Sequence, residues 1–179
     1  WGIDLRRILG AVIRNISVLD PTREGASTIT QQLARNLYQK VGGQRSSASL
    51  EGVLASYARK VREQITAVHV ERLYTKREIL VMYLNTVFFG HDAWGLKSAA
   101  RLYFDKEIAD LRIEECAMLA GLLKAPNTYS PHVNPERARE RRNLVLWNMI
   151  RAGKLTKLQY QQLESEPVHA RRGQQAETY

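Results

Sequence analysis

Two stretches of the chain carry residue types that could do chemistry. The first is Arg59-Lys60-Val61-Arg62-Glu63-Gln64, one carboxylate set among cations. On a helix Glu63 has Arg59 four residues before it and Lys60 three, so the three side chains can meet. Such a group could hold a pyrophosphate, arginine by its planar fork and lysine as a point charge. Charge pattern alone favours a plainer reading, a solvated face whose ion pairs contribute roughly 0.5 kcal/mol each.

The second stretch is Gly25-Ala26-Ser27-Thr28-Ile29-Thr30-Gln31-Gln32-Leu33-Ala34-Arg35-Asn36-Leu37. Thr28 and Gln31 fit a capping box, with Thr28 as N-cap and Gln31 reaching back. The helix that follows carries Ile29, Leu33 and Leu37 on one face, while Gln32 and Arg35 can share another. Hydroxyls, unpaired amide N–H groups and the positive end of a helix dipole suit an anion, above all a phosphate. On spacing alone an ordinary capped helix is the better reading.

Both stretches need helices to position them, and helical signals fill the chain. Residues 3–19 read as a helix with Leu5, Ile8, Leu9, Val12, Ile13 and Ile16 apolar, broken by Asp20-Pro21. Residues 39–49 read as a mobile surface loop. A long helix is expected from Leu50 to Tyr74, with Leu50, Val53, Leu54, Tyr57, Val61, Ile65, Val68 and Leu73 at helical spacing. Thr75 to Glu78 is a second capping box, opening a helix to about Asn85. Phe88 to Gly90 reads as a turn, Trp94 to Phe104 as a small-residue helix, and Arg112 to Lys124 as an apolar one. Asn134-Pro135 supplies an N-cap and a proline at the first helical position of a helix ending near Ala152. Gly153 is its C-terminal cap. Thr156 and Gln159 box a last short helix, and a polar tail or linker follows. No alternating strand, hairpin signal or repeat is evident, so the expected class is all-α.

A length of 179 residues suits one domain with a single core. Hydrophobic and charged contents of 44% and 25% are ordinary, but the net charge of +9 points to an anionic partner: nucleic acid, an anionic membrane face or a phosphorylated substrate. The single cysteine, Cys116, excludes an internal disulfide and a cysteine-based metal cluster; its apolar helical setting suggests a buried, inert thiol. His69 and His91 lack a second ligand at metal spacing and read as structural, His132 and His169 as surface residues. Trp94 and Trp147 read as core; Phe88 and Phe89 could be core or touch lipid. No apolar run is long enough to span a bilayer.

The string from Gly25 to Asn36 resembles the second motif of the peptidoglycan glycosyltransferases. Arg59-Lys60-x-x-Glu63 resembles the third. Tyr83-Leu84-Asn85, Gly90, Gly95, Ala99 and Tyr103-Phe104-Asp105-Lys106 resemble the fourth. Glu115 to Pro126, with Asn127, Tyr129, Pro131, Asn134-Pro135 and Arg141-Arg142-Asn143, resembles the fifth. The resemblance implies a lysozyme-like helical fold with a smaller membrane-proximal part, over residues 1–166, and a tail over 167–179. It implies an enzyme that polymerises lipid II, by inverting transfer from a lipid-pyrophosphate-linked glycan to the 4-hydroxyl of N-acetylglucosamine. Glu63 is then the catalytic carboxylate of this stretch. Ser27, Thr28, Gln31, Gln32, Arg35, Arg59, Lys60 and Asn85 are the substrate-binding set. The family often has lysine at the position of Arg35, and either residue carries the charge. A divalent metal such as magnesium is implied by the family alone.

The implied partners are lipid II, the nascent glycan strand, a membrane surface and moenomycin-type inhibitors, with no specific nucleic acid. The implied location is the outer face of the bacterial plasma membrane, anchored by a segment outside these residues. Trp1-Gly2 matches only the last two positions of the family's first motif, Glu-Asp-x-x-Phe-x-x-His-x-Gly. The general-base glutamate is therefore expected before residue 1, and residues 1–179 alone are expected to be inactive. Two rival classes stand beside this reading. One is a basic helical nucleic-acid-binding module using Gln31, Gln32 and Arg35, and the other is a non-catalytic interaction domain. Against the first rival, Pro21 to Ala26 is long for a helix-turn-helix link, and the cations are spread over five expected helices.

Overall fold

In the computed structural model, residues 27–39 and 50–168 are described. The helix expected over 3–19, the loop over 40–49, Trp1-Gly2, His169 and the tail beyond 168 lie outside the described residues. The chain divides into two compact units, residues 1–86 and 87–179. The described residues form seven α-helices and one short 3₁₀ turn. The all-α expectation holds. One isolated β-bridge, Phe88 to Trp94, is the extended pairing that sequence pattern did not reveal.

The first unit holds α1 (Ile29–Gln39), α2 (Leu50–Leu73) and α3 (Lys76–Thr86), with α1 packed on both others. The Thr28 box forms as expected: the Gln31 amide donates to Thr28 Oγ1, and the Thr28 amide to Gln31 Oε1, both at 3.3 Å. At α3 the Thr75 amide donates to Glu78 Oε2 at 2.8 Å and the Glu78 amide returns to Thr75 Oγ1 at 3.3 Å.

Which faces are buried departs from the apolar pattern. On α1 the buried residues are Thr30, Gln31, Leu33 and Ala34, whereas Ile29 and Leu37 are exposed. On α2 Glu63 and Ala67 are buried, whereas Val61, Ile65 and Leu73 are exposed. Helical period gives the element but not its inward face when that face carries polar residues bonded to one another.

The second unit holds α4 (Leu96–Phe104), the 3₁₀ turn Ile108–Asp110, α5 (Ile113–Leu122), α6 (Pro135–Arg151) and α7 (Lys157–Ser165). Its core gathers Phe89, Ala93, Tyr103, Phe104, Met118, Leu119 and Leu122, and Val168 packs against this cluster. Helix α4 begins two residues later than expected, because its N-cap Gly95 sits at φ 83°. Asn134 flanks α6 as expected, yet its side chain makes no cap; its amide donates to the Thr128 carbonyl at 3.2 Å. The Thr156–Gln159 box forms, and Gly153 ends α6 at φ 67°.

Several single residues depart from the sequence pattern. Cys116 is exposed, because the inward face of α5 is taken by Ala117, Met118 and Leu119. Partial burial, with Glu115 and Glu114 beside it, pushes its thiol up, so it is protonated at neutral pH. Trp94 and Trp147 are about half exposed, Trp94 packed tilted against Phe88 and Trp147 edge-on against Tyr160. His132 is half-buried and stacks on Tyr103 with ring centroids 5.2 Å apart. Phe89 is core and Phe88 half-buried.

The reversal at Gly90 yields a first prediction. Gly90 has φ +91°, and a Cβ there would meet the Tyr103 hydroxyl at 3.1 Å and Pro126 Cβ at 3.2 Å. That hydroxyl is fixed by its 2.8 Å donation to the Phe89 carbonyl, so it cannot retreat freely. Gly90→Ala is expected to destabilise the protein by about 1–3 kcal/mol, from left-handed backbone strain plus crowding. Thermal melting checks it; an unchanged melting temperature would refute the close approach.

A second prediction concerns acid. Burial by itself pushes the Glu115 carboxyl up. The Lys106 ammonium, at 2.8 and 3.0 Å, and the Arg112 amide, at 2.8 Å, outweigh it and hold the group below its ordinary value of 4.5. A carboxyl lowered in the folded state stabilises the fold fully above the unfolded value. That contribution disappears as pH falls through the lower folded value. Glu115→Gln should therefore melt below the wild type near neutrality. The gap should close in acid below the usual carboxylate range.

Candidate active site

The two chemically loaded stretches meet between α1 and α2. Helix α2 presents Glu63, Ala67 and Glu71 toward α1 as a stripe at four-residue spacing, the first two buried and Glu71 partly buried. Glu63 is 1% exposed. Arg35, on the middle of α1, donates Nε to Glu63 Oε1 at 3.2 Å and Nη2 to Oε2 at 3.3 Å. Lys60 Nζ donates to Glu63 Oε2 at 3.1 Å. Arg59 Nε stands 3.9 Å from Oε1, with its side chain 54% exposed.

Ser27 completes the cluster just before the N-cap of α1. Its hydroxyl accepts from Lys60 Nζ at 2.7 Å and from Arg35 Nη2 at 3.2 Å. Three cations thus surround one carboxylate and one hydroxyl, leaving positive charge beside a helix N-terminus. That is an arrangement for an anion with several oxygens. The solvated-face reading does not survive for Glu63, which is buried and ties two helices together, whereas Arg59 stays exposed.

The other expected site residues are placed as follows. Gln31 is fully buried, its oxygen used in the cap and its Nε2 without a partner among the described residues. Gln32 accepts from the Tyr83 hydroxyl of α3 at 3.1 Å, so Gln32 and Arg35 serve different partners. Thr28 caps α1. Asn85 is exposed on α3, and no hydrogen bond joins it to the Glu63 cluster among the described residues. Burial raises the Tyr83 phenol above its ordinary value, so that hydroxyl remains a donor.

Sequence reasoning missed Thr30 and Glu71. The buried Thr30 hydroxyl donates to Glu71 Oε1, and Glu71 Oε2 takes Lys76 at the start of α3. The available signal was spacing alone, since Glu71 lies eight residues beyond Glu63 on the same stripe.

A divalent cation does not fit at Glu63. Both carboxylate oxygens already face ammonium and guanidinium donors, and a metal would have to displace them. No group of three His, Cys, Asp or Glu suited to a metal occurs among the described residues.

The pattern defining the transglycosylase family matches residues 1–150. The chain belongs to the transglycosylase family. Relatives named penicillin-binding protein 1A agree with that assignment. Penicillin-binding protein 1A of Neisseria flavescens is 41% identical over 172 residues, which is 96% of this chain and 20% of the relative. Penicillin-binding protein 1A of Pseudomonas aeruginosa is 37% identical over 170 residues, 95% of this chain and 19% of the relative. The transglycosylase chain described here thus spans about a fifth of the length of these relatives. The crystal structure of penicillin-binding protein 1A from Haemophilus influenzae matches with a TM-score of 0.52 and 40% identity, over 55% of this chain and 15% of that one. The lysozyme-like helical class expected from the motifs holds with this likeness.

Proposed function

We propose that this transglycosylase domain polymerises lipid II into glycan strands, and that the Ser27–Arg35–Lys60–Glu63 cluster holds the pyrophosphate of the lipid-linked donor. The observation that carries the reading is the convergence of three cations and a hydroxyl on the buried Glu63 beside the N-terminus of α1. As the 4-hydroxyl of the acceptor sugar attacks the anomeric carbon, the bond to the pyrophosphate oxygen breaks and negative charge grows on the leaving group. Donors already fixed in place stabilise that charge most, since little reorganisation is needed. Arg35 and Lys60 supply them, and Glu63 holds both cations in position. Arg59, more exposed, reaches outward as a second hand on the phosphates.

Proton removal from the acceptor needs a separate base. Glu63 is poorly suited to it, because its oxygens are occupied by cationic donors. The resemblance assigns that role to the family's first motif, which lies outside the described residues.

The substrate's polyprenyl chain would place the reaction at the outer face of the bacterial plasma membrane. No helix among the described residues is long and apolar enough to cross a membrane. Exposed Val61, Ile65, Leu80 and Val81, with Arg72 and Arg77 nearby in the chain, suit contact with a lipid surface. The nucleic-acid reading loses support from α1 itself, whose Gln31, Gln32 and Arg35 are committed to partners within the unit.

The test is binding of lipid II and of moenomycin, against duplex DNA, by the full-length protein. Removing Arg59 and Lys60 together should weaken both lipid-linked ligands at least tenfold more than DNA. A base-sequence preference that persists at high salt would overturn the reading.

A further inference from the structure

We propose that Glu71 is a positioning residue for the transfer reaction, acting through Thr30 to set the register of α1 on α2. This rests on the reading of the Glu63 cluster as the pyrophosphate site. The two helices run antiparallel where they meet: Arg35 of α1 reaches Glu63, and Thr30, five residues earlier, reaches Glu71, eight residues later on α2. Two side-chain pairings along the stripe, Arg35–Glu63 and Thr30–Glu71, fasten α1 to α2, and Ala67 between them is fully buried. A small residue there lets the helices approach without fixing how far one slides along the other. The carboxylates at the two ends supply the fixing.

The Arg35–Glu63 end cannot set the register alone. Arg35 is long and has several rotatable bonds, and it can follow a shift of α1 by changing rotamer. Thr30 is short and β-branched, with a stiff χ1 and its hydroxyl one bond from Cβ. Its bond to Glu71 survives only if the first turn of α1 stays in place. Ser27 lies one turn before Thr30, so the same bond fixes the hydroxyl that Lys60 and Arg35 share. Glu71 is in turn held by Lys76 at the head of α3, which anchors it from a third helix. Burial pushes the Glu71 carboxyl up, but the Lys76 and Thr30 bonds outweigh it and hold the group below its ordinary value, so it is ionised at neutral pH. The partners of Glu71 are Thr30 and Lys76, neither of them one of the three cations of the cluster, and Thr30 is its link to α1.

The experiment is steady-state polymerisation of lipid II by the full-length protein, comparing wild type with Thr30→Val, Thr30→Ser, Glu71→Ala and the Thr30→Val/Glu71→Ala double variant. Measurements are made where circular dichroism shows each variant folded. Thr30→Val and Glu71→Ala should each lower kcat by about tenfold or more with little change in KM for the acceptor. The double variant should be no worse than Glu71→Ala alone, because the Thr30–Glu71 bond that Thr30→Val removes is already lost there. Thr30→Ser should restore most of the rate. If the wild type is active and the folded single variants match it, the positioning role is wrong while the function stands. Additive losses in the double variant would equally overturn it. If the wild type neither polymerises lipid II nor binds moenomycin, the pyrophosphate reading itself fails.

Discussion

Glu63→Gln should lower lipid II polymerisation by about a hundredfold or more, and it should also cost stability. The amide keeps the shape of the carboxylate but offers one acceptor atom where there were two, and no charge. Arg35 then loses one half of its two-point grip, and Lys60 is left with Ser27 as its partner. Loss of a preorganised charged group at a site of developing charge typically costs on the order of 10²–10³ in rate.

At 1% exposure Glu63 is also a buried strut between α1 and α2. Breaking a fully buried pair can cost about 3–5 kcal/mol. Here the cationic partners are each more than a third exposed, at 37%, 54% and 36% for Arg35, Arg59 and Lys60, so water screens part of the loss. About 1–3 kcal/mol is expected. Chemical denaturation and lipid II polymerisation, both run on the full-length protein, separate the two effects. Near-normal polymerisation by a folded Glu63→Gln variant would return Glu63 to a purely structural role.

Four of the seven described helices announce their starts, which made those elements legible. The Thr28, Thr75 and Thr156 boxes and the Pro135 start all stand where side-chain chemistry put them. The inward faces were not legible for α1 and α2. Hydrophobic spacing nominated Ile29 and Leu37, and Val61 and Ile65, yet the side chains that join the two helices include Thr30, Arg35, Glu63 and Glu71. A polar residue can be buried when a partner exists, and the partner of Glu71 lies 41 residues away in the chain. Periodicity within one helix cannot report such a pairing. The resemblance supplied Glu63 and Arg35, whereas Thr30–Glu71 needed three dimensions. Cys116, Trp94 and Trp147 show the converse limit: residue type predicts average burial, while position on the helix decides it.

Lys60→Met should lower kcat/KM for lipid II by about a hundredfold, and Arg59→Met by about tenfold, although the two are adjacent cations of equal charge. The difference follows from preorganisation. Lys60 Nζ is fixed at 2.7 Å from Ser27 and 3.1 Å from Glu63, so it already stands where Ser27 and Arg35 converge. Arg59 is 3.9 Å from Glu63 and more than half exposed, and it must give up freedom and water to reach the same phosphate. Methionine keeps most of each side chain's apolar stem, so the loss reads the charge and not the packing. Arg35→Lys offers a third comparison. It keeps the charge but cannot span both Glu63 oxygens and Ser27 from one planar fork, so a loss of roughly tenfold is expected, or about 1.4 kcal/mol. The measurement is polymerisation of labelled lipid II across a range of substrate concentrations, with moenomycin binding as a check on the resting site. Equal losses for Lys60→Met and Arg59→Met would mean that net charge governs the site. A larger loss for Arg59→Met would place the phosphates outside the Ser27–Lys60–Arg35 cluster, on the exposed side of α2.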